Sequence, residues 1–67
     1  MDDQLLTMRR EAAIALAKRS MLTVPRAEAL MLECGDNFQM ASACVAVSEA
    51  FQLSPFDVAS AIKAFAR

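Results

Sequence analysis

Gly35-Asp36-Asn37-Phe38-Gln39-Met40-Ala41-Ser42-Ala43-Cys44-Val45-Ala46-Val47-Ser48-Glu49-Ala50-Phe51-Gln52-Leu53-Ser54-Pro55-Phe56-Asp57 contains one helix stop and two helix starts. Gly35 reads as a left-handed C-cap that ends the helix before it. Asp36 with Gln39 three residues on reads as a capping box, with Asp36 as the cap of the next helix. From Phe38 to Phe51 the only charge is Glu49, so that helix is apolar nearly all round and must be central to the fold or to an oligomer. Glu49 then marks its one wet edge. Ser54 caps the following helix, Pro55 takes its first position where a missing N–H costs nothing, and Asp57 sits third, where its carboxylate can reach back.

Working outward, the same reading gives a helix from about Asp3 to Arg19, with acids at its positive end and Lys18 and Arg19 at its negative end. Its apolar stripe is wide: Leu5, Met8, Ala12, Ala15 and Leu16, with Leu6, Ala13, Ile14 and Ala17 beside them. Thr23 can cap a further helix with Pro25 in its first turn, and that helix carries Ala27, Leu30, Met31 and Cys34 on one face. Val58, Ala61, Ile62 and Phe65 offer burial on the last helix. No segment alternates as a strand does. The expectation is an all-α single domain over 1–67, a compact bundle of about four short helices joined by connections of two to four residues.

Sixty-seven residues and 7.3 kDa lie near the lower limit for independent folding. Burial of apolar area is worth roughly 95 kcal/mol against roughly 100 kcal/mol for ordering the chain, so a lone monomer is marginal. Yet 57% of the residues are hydrophobic, fourteen of them Ala and five Met. That composition suits close helix contacts and self-association, and the expectation is a homodimer or a chain docked on a partner. The Met side chains at 8, 21, 31 and 40 read as core filler.

Several chemistries are disfavoured. The chain has no His, no Trp, no Tyr and one Gly, which removes the usual proton shuttle and phosphate-cradling loops. Two cysteines without a CxxC spacing or a His partner suggest neither a zinc site nor a disulfide framework, and read as buried free thiols. No apolar run is long enough to span a membrane, and the acidic start Met1-Asp2-Asp3 is unlike a secretory signal, so the expected address is the cytoplasm. No metal, no cofactor and no enzymatic activity are expected. Residues 1–26 carry five bases against three acids, and residues 27–67 two bases against five acids.

The segment from Val47 to Ile62 resembles the helix-turn-helix of bacterial DNA-binding regulators. Ser48 is the small residue where two steeply crossing helices touch. Val47 and Phe51 are the apolar anchors around it, Leu53 points inward after the turn, and Val58, Ala61 and Ile62 point inward from the second helix. Gln52 stands where that family most often has Gly, since the turn favours positive φ.

The resemblance implies a small regulator that binds duplex DNA as a dimer to control transcription, with the last helix in the major groove. Its outward residues are then Ser54, Pro55, Phe56, Ala59, Ser60 and Lys63. Ser54, Ser60, Lys63 and Arg67 are the candidate DNA contacts, and Arg9 and Arg10 reach flanking phosphates if the first helix lies alongside. Opposing this, the face lacks the Arg, Asn and Gln that commonly read bases, and the sequence pI is 5.1. The alternative is an adaptor, inhibitor or chaperone that binds another protein through an apolar helix face, with Phe56 and Ala59 as the candidate patch. Phe56 reads equally as a core residue.

Overall fold

The computed structural model describes residues 2–66 and consists of four helices: α1 (Asp2–Lys18), α2 (Val24–Glu33), α3 (Phe38–Phe51) and α4 (Pro55–Phe65). No strand is present among the described residues. The all-α expectation and the four helices hold, each boundary falling within about two residues of its signal.

The helix ends show which local signals act. Beyond Cys34, Gly35 is left-handed (φ 63°), its N–H donates to the Leu32 carbonyl, and the Asp36 N–H donates to the Met31 carbonyl at 2.8 Å. This is the paired closure in which a left-handed residue lets two N–H groups turn back on orphan carbonyls. At α4, the Ser54 hydroxyl accepts from the Phe56 N–H at 3.2 Å with Pro55 leading the helix. No reciprocal bond from Asp57 forms among the described residues, so Asp57 acts there only as a charge in the first turn. Thr23 holds the extended cap conformation before α2 without a side-chain cap bond.

The capping box at α3 is corrected by the structure. The cap is Asn37, whose Oδ1 accepts from the Met40 N–H at 3.1 Å. Asp36 is left-handed instead (φ 61°), and its carboxylate is held by Arg9 of α1: Nε donates at 2.6 Å and Nη2 at 2.9 Å. A bidentate guanidinium is a stronger partner for a carboxylate than a backbone N–H, and Asn is as good a cap as Asp. The tertiary contact therefore takes Asp36, and its neighbour takes the cap.

Ala13 and Leu16 of α1, Ala27, Leu30 and Met31 of α2, Cys34 beyond it, Ala41, Cys44 and Val45 of α3, and Val58 and Ala59 of α4 form one core. Six of those eleven are Ala or Cys, so the helices approach closely. The face of α2 expected from the sequence is buried in full. α1 packs mainly on α2 and α3 on α4, with α2 also touching α4, while α1 and α4 do not meet. The result is a flat body, 35 × 29 × 16 Å. Ser48 is buried where α3 nears α4, and its hydroxyl donates to the Val45 carbonyl at 2.7 Å; no buried side-chain nitrogen or oxygen is without a partner among the described residues.

Candidate interaction surface

The α3–α4 connection has the positive φ that the sequence reading places at Gln52. Gln52 is left-handed (φ 57°), and the Leu53 N–H returns to the Ser48 carbonyl at 2.8 Å. Ser48 and Val58 are buried, as expected. The other inward assignments are corrected. Val47, Phe51, Leu53, Ala61 and Ile62 are exposed, Phe51 by 70% and Leu53 by 54%. The reason is which helix lies where: α2 covers one side of the hairpin, while α1 packs on α2, does not touch α4 and touches α3 only lightly, so no helix covers these residues.

The candidate DNA contacts do not converge. Ser54 is half-buried and occupied as the α4 cap; Ser60 is exposed. Lys63 is exposed but paired, its Nζ donating to Glu33 Oε2 at 2.8 Å. Arg67 lies outside the described residues. Arg10 is exposed on α1, which does not approach α4. Arg9 is withdrawn from solvent into its bond with Asp36, which raises the guanidinium pKa, chiefly through that hydrogen bond, and lowers that of the Asp36 carboxyl. The basic strip joining the first and last helices therefore does not assemble.

The remaining cations are partly engaged as well. Arg19 lies over the Phe38 ring at 5.9 Å from its centre, and Arg26 over the Phe56 ring at 5.3 Å, distances at which the ring face attracts a cation. Arg10 and Lys18 have neither an ion-pair nor a ring partner among the described residues.

The candidate protein-binding patch is also corrected. Ala59 is fully buried in the core, and Phe56 is half-buried against that core beneath Arg26. Both sit on the side of α4 that the rest of the bundle covers. The exposed apolar groups lie elsewhere, at positions the expected patch omitted. On the hairpin they are Val47 and Phe51, one turn apart on α3, Leu53 in the turn, and Ile62 and Phe65, one turn apart on α4, with Phe65 91% exposed. On α1 they are Leu5, Leu6, Met8 and Ile14. Of the methionines read as filler, Met31 is core and Met40 packs against it, but Met8 and Met21 are exposed. The signal that could have found the hairpin face is the continuation of a core stripe past the core: Val58 is buried, and Ile62 and Phe65, four and seven residues on, are not.

A hollow of about 210 Å³ opens between the α1–α2 connection and the α3–α4 hairpin. Met21, Leu22, Val45, Leu53 and Pro55 line it, with Glu49 at its side. It can accept an apolar side chain, since a cavity of roughly 150 Å³ already holds a benzene. Along α1, a larger but open strip runs past Leu6, Arg10 and Ile14, bounded by one helix alone. No group of three or more His, Cys, Asp or Glu side chains is placed to hold a metal ion among the described residues. Cys34 and Cys44 are both buried free thiols, and burial, followed by the neighbouring Cys44, pushes the Cys34 thiol up to about 11. No helix among the described residues is long and apolar enough to cross a membrane. Comparison with protein families, with curated proteins and with solved structures finds no match for this chain.

Proposed function

We propose that this chain is a non-enzymatic, helical protein-interaction module that binds another polypeptide through apolar helix faces its own fold leaves uncovered. The observation that carries the reading is the exposure of Phe51, Leu53, Ile62 and Phe65 on the α3–α4 hairpin. Isolated exposed apolar residues are ordinary, but several large ones on one small element mark an interaction surface. The total area agrees. The chain exposes 4802 Å², where a monomer of its mass is expected to expose about 4,200 Å².

The test is photo-crosslinking from position 65, with benzoylphenylalanine replacing Phe65, in cells producing the full chain. A discrete adduct that resists nuclease and is destroyed by protease is expected. A nuclease-sensitive adduct, or none, overturns the reading.

A second reading, a regulator that binds duplex DNA as a dimer, is favoured by one feature: the left-handed Gln52 turn with a small buried Ser48 at the helix approach. Its electrostatics are unfavourable, because Lys63 on α4 is already paired with Glu33 and phosphate affinity needs several clustered cations. Titration of labelled generic duplex from about 20 mM salt upward decides it, since counterion release makes even non-specific binding visible at low salt. Binding that falls steeply with salt and is lost when Lys63 is reversed to Glu supports this reading. Silence removes it.

A further inference from the structure

We infer that the occupant of the uncovered faces is a second copy of this chain, with α1 of each copy seated on the α3–α4 hairpin of the other. This rests on the interaction reading above and names its partner.

Three observations converge on it. The first is area. The exposed surface exceeds the monomer expectation of about 4,200 Å² by roughly 600 Å² per chain. A pair that covers this much on each side buries roughly 1,200 Å² in total, at the lower edge of a specific stable interface.

The second is placement. The chain has two separate uncovered apolar regions, the α1 row and the hairpin; α1 does not touch α4 and touches α3 only lightly. A two-fold pairing in which region one meets region two occurs twice by symmetry, and so covers both regions on both copies and closes the assembly.

The third is chemical complementarity. Leu6, Arg10 and Ile14 recur every fourth residue along the exposed side of α1, with Asp3, Thr7 and Glu11 bordering the same strip. The hollow beside the hairpin is lined by Met21, Val45, Leu53 and Pro55, with Glu49 at its side. Its volume of about 210 Å³ accommodates an aliphatic side chain from the row. Arg10 has no ion-pair partner within its own chain among the described residues, and neither has Glu49. At a net charge of −1, two copies repel each other little.

Sedimentation equilibrium of the purified full chain, with charge-reversal variants, tests this. The wild type should sediment at twice 7.3 kDa. Arg10→Glu and Glu49→Arg should each raise the dimer dissociation constant by about tenfold or more, and the double variant should recover most of that loss. Lys18→Glu serves as the control and should shift it by less than about threefold. Far-ultraviolet circular dichroism of each variant establishes that α-helix content is unchanged. A monomer at all concentrations overturns the inference, and so does a dimer that both single reversals leave intact or that the double variant fails to restore. Failure of this inference is separable from failure of the interaction reading. A monomer that still yields a nuclease-resistant adduct from position 65 to a different protein refutes the second copy alone. A monomer with no adduct refutes both.

Discussion

Replacing Gln52 by Gly should stabilise the protein, and the size of the gain follows from backbone geometry alone. Gln52 sits at φ 57°, where a Cβ crowds the following carbonyl. For an L-residue this conformation costs roughly 1–2 kcal/mol relative to the right-handed one, and Gly escapes it. Part of that gain is offset because Gly frees the unfolded chain, leaving a net effect of about 0.5–1 kcal/mol. The side chain is exposed, so no packing is lost with it. With an unfolding entropy of about 2.1 cal/mol/K per residue, each kcal/mol moves the midpoint of a 67-residue chain by about 7 °C. Gln52→Gly should therefore raise Tm by about 3–7 °C in a thermal melt followed by circular dichroism at 222 nm. The mirror experiment is Gly35→Ala. Gly35 has φ 63°, and a Cβ added there meets nothing within 4 Å, so its cost is conformational and should be a drop of similar size. If Gln52→Gly leaves Tm unchanged or lowers it while Gly35→Ala lowers it as stated, the left-handed turn at Gln52 is not the structure in solution. The helix-turn-helix-like hairpin then fails with it.

Three further perturbations test other parts of the structure. Asp36→Asn keeps a residue that tolerates the left-handed conformation but removes the charge facing Arg9. Because Arg9 lowers the folded pKa of Asp36, the stability this pair adds is present above the unfolded value of about 3.9 and is lost as pH falls through the folded one. The gap in Tm between wild type and Asp36→Asn should thus narrow from pH 7 toward pH 2; a gap independent of pH rejects the ion pair. Leu30 has no exposed surface, and Leu30→Ala should cost about 2–5 kcal/mol through lost transfer energy and a cavity. A chain of 67 residues has only about 3–10 kcal/mol in all, so urea should unfold this variant well below the wild-type midpoint, and a cost under 1 kcal/mol would disprove the core assignment. Cys34, raised to about 11, holds about one thiolate in a thousand at pH 8. Iodoacetamide should alkylate it at least a hundredfold more slowly than free cysteine, until urea releases it. Rapid labelling of the folded chain would contradict the buried thiol pair.

What could be read from the sequence, and what could not, divides by range. Ser54-Pro55 starts α4 and Gly35 closes α2 because each signal is satisfied within five residues, by backbone groups that are present wherever the chain goes. Gln52 belongs with them, since the turn itself forces its conformation. Asp36 and Asn37 mark the limit. Either can cap α3, and the choice is made by Arg9, 27 residues away, whose arrival depends on how α1 packs. The uncovered apolar face lies wholly beyond that limit. Periodicity identifies Val47, Phe51, Ile62 and Phe65 as an apolar face, but a face is core or surface only according to what lies over it. Nothing local records that α1 lies on α2 and leaves the hairpin bare. The same ambiguity misplaced Phe56 and Ala59, whose helical position is compatible with either side of α4 until α2 occupies one of them.

That division also explains why the uncovered residues are informative. A sequence with this much apolar face needs more cover than 67 residues supply. The fold then shows which part goes without: not the α2 face, which is buried in full, but the ends of stripes on α1, α3 and α4 that run past the core. Here Ile62 and Phe65 keep the spacing set by Val58, and Leu6 and Ile14 keep theirs around Arg10. These faces keep helical spacing where no helix of the chain lies over them, and that exposure is the observation on which the proposed pairing of two copies rests.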